Sequence, residues 1–171
     1  RAGFPLSGAS FNNQNRLHLG FHYPRDSETA LQCIRGYRQF HDKFTPCIVD
    51  NFKSTYFIAA DGSVTTAGDY LKFCRKLNLS FQEVAPATFE PRINNVSAGV
   101  LCSEAVYDCS VLRDLVVAEF KTKSIKIYLE TNVKEVKKVS EGFCLTTRNN
   151  KEIFDAVVNC TYADLNRLTY Q

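Results

Sequence analysis

The sequence predicts a mixed α/β protein in which one domain is interrupted by a second, β-rich one. Three observations carry this reading. Apolar residues recur at helical spacing in three separated stretches, over 27–44, 66–77 and 110–123. Between the first two helices lie runs rich in β-forming residues, and the last third reads as helix, strand and then meander. Alternation of this kind is what a discontinuous two-domain chain gives. The expected segments are 1–45, 46–104 and 105–171.

The elements follow in order. Residues 1–25 lack periodicity and read as loop, with a short helix expected within 12–16. Asp26 or Ser27 caps the first helix, with Glu28 in its first turn. Ala30, Ile34, Tyr37, Phe40 and Phe44 form its apolar stripe, and Pro46 ends it. Strands are expected over 47–52 and 55–60, with Asp61 and Gly62 turning the chain. The second helix, 66–77, presents Tyr70, Leu71, Phe73, Cys74 and Leu77. Pro86 and Pro91 break the stretch 81–93 into short strands, and 99–103 is a further strand. Ser110 is the expected cap of the third helix, with Leu112, Leu115, Val116 and Phe120 facing inward. Strands are expected at 125–129, 132–139, 142–147 and 153–159, with turns at Gly142 and at Asn149 and Asn150.

Composition narrows the function. The chain has 171 residues, 44% hydrophobic and 23% charged, which is ordinary for a globular protein. A net charge of +3, evenly spread, argues against a nucleic-acid or membrane-surface partner. Lys134, Lys137 and Lys138 alternate with Val133, Val136 and Val139, as on the solvated edge of an element. No apolar run is long enough for a membrane span, and no signal peptide is evident. Seven cysteines include no Cys-x-x-Cys pair, and the Cys and His spacing gives no zinc pattern. Buried free thiols in a reducing, cytoplasmic setting are expected, and the three Asn-x-Ser/Thr sequons are read as coincidence. The chain begins at Arg1 and contains no Met, so it is read as a fragment.

The most informative stretch runs from residue 8 to residue 25. It packs small, amide, imidazole, phenol and guanidinium side chains with few apolar residues, a composition suited to wrapping a polar, planar group. Within it, Asn15, His18, Gly20 and Tyr23 form an Asn-x-x-x-apolar-His-x-Gly-apolar-x-Tyr pattern, followed by Pro24 and Arg25 and a helix carrying Ala30 and Cys33. Ser103, Glu104, Tyr107 and Asp108 then precede the Leu112 helix, a strand pair carries Thr131, Asn132 and Val133, and 154–161 closes with Phe-Asp-Ala-Val-Val-Asn-Cys-Thr. In order and spacing these resemble an internal portion of the FAD-dependent oxidoreductases of the D-amino-acid oxidase superfamily. The branch they most resemble contains L-2-hydroxyglutarate dehydrogenase.

The resemblance implies a partial FAD-binding Rossmann-like domain interrupted by a β-rich substrate domain. Segment 1–45 would supply the flavin-contact loop and helix, 46–104 the substrate-domain insertion, and 105–171 the return with a second flavin-contact strand. Ser10, Asn12, Asn15 and Arg16 would approach the flavin and the FAD phosphates, and Gly20 would let the backbone near a flat ring. His18 and His22 are the catalytic candidates, placed with Gly20 on one face if the segment is extended. Tyr23 and Arg25 are the substrate candidates, since a guanidinium binds a carboxylate bidentately; the commoner fate of Arg25 is a pair with Asp26 or Glu28. Val133 and Thr161 would complete the cofactor contacts, Val133 reading equally well as core. Glu104 reads as a structural carboxylate, and Asp69 and Asp108 as surface or capping residues.

The implied reaction oxidises a C–H bond beside an amine or hydroxyl of a small amino or hydroxy acid, by hydride transfer to flavin. No metal is implied, and the electron acceptor stays open. The glycine-rich phosphate loop and the family's Ala-Gly-x-Trp-type turn after 161 are missing, so tight FAD binding by these residues alone is not expected. The alternative reading is a non-catalytic binding module with a degenerate flavoprotein fold. An RNA-modifying protein is a third, disfavoured by the lack of interleaved basic and aromatic residues.

Overall fold

In the computed structural model, which describes residues 3–168, α1 spans Ser27–Phe44, the range its periodicity predicts. Asp26 starts it from extended backbone, its carboxylate accepting from the amides of Glu28 and Thr29 and from the Thr29 hydroxyl. These bonds, led by the Thr29 hydroxyl, hold the Asp26 carboxyl below its usual range. Helix α2 (Ala67–Lys76) is capped by Thr66, which accepts from the Asp69 amide and donates to the Asp69 carboxylate. Its buried face is Tyr70, Phe73 and Cys74.

Helix α3 (Cys109–Thr122) is capped by Asp108 rather than Ser110. The reason is chemical: one carboxylate oxygen of Asp108 accepts from both the Ser110 and Val111 amides, so Ser110 is a donor in the first turn. Of its expected inward face only Leu112 is buried; Leu115, Val116 and Phe120 are half-buried.

Three small antiparallel sheets accompany the helices. Strands β1 (Arg16–Leu17) and β2 (Ile48–Val49) flank β6 (Ala105–Tyr107). In the second sheet β5 (Val96–Cys102) lies between β3 (Ser54–Ala59) and β4 (Phe81–Val84). Strands β7 (Glu135–Val139), β8 (Gly142–Thr146) and β9 (Lys151–Phe154) form the meander.

Several expectations are corrected. The helix expected within 12–16 is a 3-10 turn at Ala9–Phe11, and Arg16 and Leu17 pair with Val106 and Ala105 instead. The strand expected over 47–52 shrinks to Ile48–Val49, because Thr45–Cys47 winds into a 3-10 turn around Pro46. The strand expected at 125–129 does not form. No described segment pairs with it, and Ile125, Ile127, Tyr128 and Leu129 are exposed. β-Propensity without a ladder partner leaves backbone groups to water, and no strand results. All seven cysteines are free, but only Cys47, Cys74, Cys102 and Cys109 are buried; Cys33 and Cys144 are half-buried and Cys160 is exposed.

The described residues fall into two compact units, Gly8–Ser124 and residues 3–7 with 125–168. The core of the first comprises Phe21, Ala30, Ile58, Tyr70, Phe73, Cys74, Val100 and Cys102. Here the sheet β3-β5-β4 and α2 enclose Phe21, which enters from the loop. Gly20 makes that entry workable. Its φ is +98°, and an added Cβ would stand 3.1 Å from the Ala30 carbonyl of α1. Gly20→Ala is expected to destabilise the protein by about 2 kcal/mol, read as a lower urea midpoint at unchanged slope.

Candidate functional site

The segment after β1 curls instead of extending. The Tyr23 amide donates to the Gly20 carbonyl at 3.2 Å, and the Asp26 amide to the Tyr23 carbonyl at 3.1 Å. The expected alternation is therefore absent, yet the turn still brings the two histidines together. Their rings stack with centroids 5.0 Å apart at 25°, and Tyr23 sets its edge against both. Gly20 serves this turn and its approach to α1, which accounts for the missing side chain without a flat ring.

Beneath the turn lies Glu104, only 1% exposed, in the link between β5 and β6. One carboxylate oxygen accepts from the Leu19 amide at 2.7 Å. The other accepts from the Tyr56 hydroxyl at 2.6 Å and from the Arg16 guanidinium at 3.0 Å. Arg16 also lies over the Tyr56 ring, 5.0 Å from its centroid. Burial, reinforced by the bond to Glu104, pushes the Tyr56 hydroxyl far above the usual tyrosine range. Tyr70 donates its hydroxyl to the Phe21 carbonyl at 2.9 Å, tying the turn to α2.

His18 Nδ1 stands 3.6 Å from the Glu104 oxygen that Arg16 and Tyr56 already share. This nitrogen is buried and makes no hydrogen bond among the described residues. Burial lowers the His18 pKa below 6.5; Glu104 opposes this, while His22 and Arg16 add to it. His18 is thus neutral near pH 7. Because its folded-state pKa is the lower one, the unfolded chain binds the proton more readily. This contribution to stability is full above 6.5 and is lost as pH falls through the folded value. Urea midpoints are expected to fall over that window, with a shallower slope in His18→Asn.

The remaining sequence candidates distribute as follows. Ser10 lies in the 3-10 turn Ala9–Phe11. The Asn12 side chain donates to the Gly8 carbonyl at 2.8 Å, closing its own turn. Asn15 sits at φ +52°, its carbonyl accepting from the Tyr107 amide, and its side-chain oxygen is buried without a partner. Arg25 is exposed and, among the described residues, ion-paired with neither Asp26 nor Glu28, the Asp26 carboxylate being taken by the cap. With His22, Tyr23, Tyr56, Ser63 and Tyr70 it lines an open cleft of about 530 Å³.

In the second unit Val133 and Thr161 meet. Both line two neighbouring cavities of about 450 and 410 Å³, together with Leu168. Asn159 fixes Thr161, accepting from its amide at 3.1 Å and its hydroxyl at 2.7 Å.

Tyr56 is not singled out by the sequence, whereas Glu104, expected as a structural carboxylate, is buried and bonded by three donors. The available signal was a lone acid set into the apolar stretch 99–107, where a carboxylate needs several donors. One unpartnered acceptor at the site fits a flavin. The Asn15 side-chain oxygen is a buried acceptor that the described residues leave without a donor, and a flavin ring carries N–H donors as well as carbonyl acceptors.

Comparison with known proteins bears on the same question. The family model for FAD dependent oxidoreductase matches residues 1–169. The chain is 30% identical over 158 residues to the FAD-dependent monooxygenase FPY4 of Fusarium mangiferae, covering 92% of this chain and 40% of that protein. Its fold is similar to that of glycine oxidase from Geobacillus kaustophilus, with a TM-score of 0.72 at 17% identity, over 95% of this chain and 47% of the other. The chain thus spans less than half the length of either.

Proposed function

The chain belongs to the FAD-dependent oxidoreductase family, and from that premise we propose that it supplies flavin-facing and substrate-facing parts of an enzyme oxidising small amino or hydroxy acids. The observation that carries this is the cleft lined by His22 of the histidine pair, where Arg25 offers an exposed guanidinium with no ion-pair partner among the described residues. A substrate carboxylate suits that group, and the aromatic walls of Tyr23, Tyr56 and Tyr70 suit a small organic body. His18, neutral near pH 7, would accept the hydroxyl or amine proton of a bound substrate. FAD, when bound, would supply the two-electron acceptor for the adjacent C–H bond. By the resemblance, Asn15 and His18 would approach the flavin ring, Val133 would offer backbone contacts to the adenine side, and Thr161 would belong to the second flavin-contact turn. Ser10, Asn12 and Arg16 keep their proposed place near the phosphates; the main bond of Arg16 to Glu104 limits how far it can reach.

In this reading segments 1–45 and 105–171 belong to the cofactor domain and 46–104 to the substrate domain. The substrate class extends to 2-hydroxy acids, after the L-2-hydroxyglutarate dehydrogenase branch that the motifs resemble. Among the described residues no helix is long and apolar enough to cross a membrane, and the free thiols support a reducing, cytoplasmic location.

The test is the visible spectrum, under anaerobic conditions, of the FAD-loaded product of the intact reading frame that contains these residues. Bleaching by one of a panel of small amino and 2-hydroxy acids is the expected result; no bleaching by any of them would sink the reading. The Fusarium relative's name makes oxygen transfer the competing chemistry, recognised by label from ¹⁸O₂ in the product. Arg25→Gln is expected to raise KM for a carboxylate substrate at least about tenfold, with a smaller effect on kcat.

A further inference from the structure

Glu104 gathers three donors from three separate elements, and a fourth group stands close by without joining them. Its Oε2 already receives the Tyr56 hydroxyl and the Arg16 guanidinium, which occupy the two lone pairs such an oxygen offers. His18 Nδ1, at 3.6 Å from the same oxygen, is left outside hydrogen-bond range. It is nevertheless the buried nitrogen of a side chain that is 28% exposed, and it has no other partner among the described residues. An unprotonated Nδ1 would aim its lone pair at an anionic oxygen. A protonated Nδ1 would aim a positive N–H there instead, and only the second arrangement is attractive.

We propose that Glu104 is a positioning residue for His18: it fixes the neutral ring as the Nδ1–H tautomer and so leaves Nε2 as the basic nitrogen offered to a bound molecule. Tyr56 and Arg16 tune this by competing for the same carboxylate oxygen. The proposal deepens the flavoenzyme reading, since it names the atom of His18 that would take the substrate proton. The titratable and charged groups around the pair come from several elements. They are Arg16 on β1, His22 and Tyr23 in the turn, Cys33 and Tyr37 on α1, Tyr56 on β3, Tyr70 on α2, and Cys102 on β5, the last also near Lys53. Arg16 is the full positive charge in direct contact with the carboxylate; burial, with smaller contributions from His22 and Arg16, outweighs the pull of Glu104 and keeps His18 below its ordinary value.

The experiment is ¹⁵N NMR of the histidine rings in the purified protein, without added ligand, across a pH titration. The expected wild-type result is a proton-bearing Nδ1 on neutral His18; a proton on Nε2 instead would overturn the proposal. In Glu104→Gln the His18 midpoint is expected to move to lower pH and the tautomer to shift toward Nε2–H, with His22 moving less. An unchanged His18 would overturn it, because a carboxylate with a purely structural role moves stability without moving this signature. If Glu104→Gln does not fold, Tyr56→Phe decides. It frees a lone pair on the same oxygen, so the His18 midpoint is expected to rise with Nδ1 still protonated; a fall or no change would contradict the proposal. FAD binding by the same samples is read separately, so a failed flavin reading with an intact tautomer, or the reverse, can be told apart.

Discussion

Phe21→Ala is expected to cost about 3–5 kcal/mol, a large share of the 5–15 kcal/mol that holds a typical domain together. Phe21 is 1% exposed, stacks on Tyr56 with ring centroids 5.8 Å apart, and belongs to the cluster that joins the loop to α2 and the sheet β3-β5-β4. Truncation leaves a cavity in that cluster and loosens the carbonyl that receives the Tyr70 hydroxyl. Because Phe21 lies between Gly20 and His22, the variant should also lose the stacking of His18 on His22. The check is chemical denaturation with Val64→Ala as control; Val64 is 80% exposed, and its truncation should stay within about 0.5 kcal/mol of wild type.

Glu104→Ala is the second large effect, expected at about 3 kcal/mol. The cause is the groups it leaves behind. The Leu19 amide, the Tyr56 hydroxyl and part of the Arg16 guanidinium lose their acceptor together, in a place water reaches poorly. Removing a donor as well should recover part of the loss. In a double-mutant cycle, Glu104→Ala with Tyr56→Phe should therefore cost clearly less than the sum of the two single changes. Additivity would mean that the hydroxyl finds another acceptor and that the network is not shared.

Helix α1 and its Asp26 cap were legible in the sequence because both signals are local: an apolar stripe at helical spacing and a carboxylate in front of free amides. The meander of β7, β8 and β9 was legible in its order but not in its bounds: the strands expected over 132–139 and 153–159 are Glu135–Val139 and Lys151–Phe154. Residues 155–160, expected as the second flavin-contact strand, find no ladder partner among the described residues. Residues 125–129 show the limit. Their β-branched and aromatic side chains carry a propensity, but a strand exists only where a partner ladder stands, and that is not written in the segment itself. The Ser110 cap was misread because two neighbouring residues, Asp108 and Ser110, both carry capping side chains, and only geometry tells which one meets the free amides.

At the site the sequence draws attention to the stretch 8–25 but not to the pairs that Glu104 makes with it. His18 and His22 do come together, through a turn at Gly20 rather than through an extended strand. Glu104 lies 88 residues from Arg16 and 48 from Tyr56 along the chain, and no spacing rule links positions that far apart. A buried carboxylate announces itself only as an acid among apolar neighbours, which is also how a plain structural residue reads.

The central claim is that Asn15, His18 and the turn after them face a flavin. The most direct measurement is an FAD titration of the protein followed by backbone and side-chain ¹⁵N chemical shifts, which detects weak binding as well as tight. The account predicts that the largest changes fall on Asn15, His18 and Tyr23 and on Val133 and Thr161. Saturable binding that leaves residues 15–25 unmoved would contradict it.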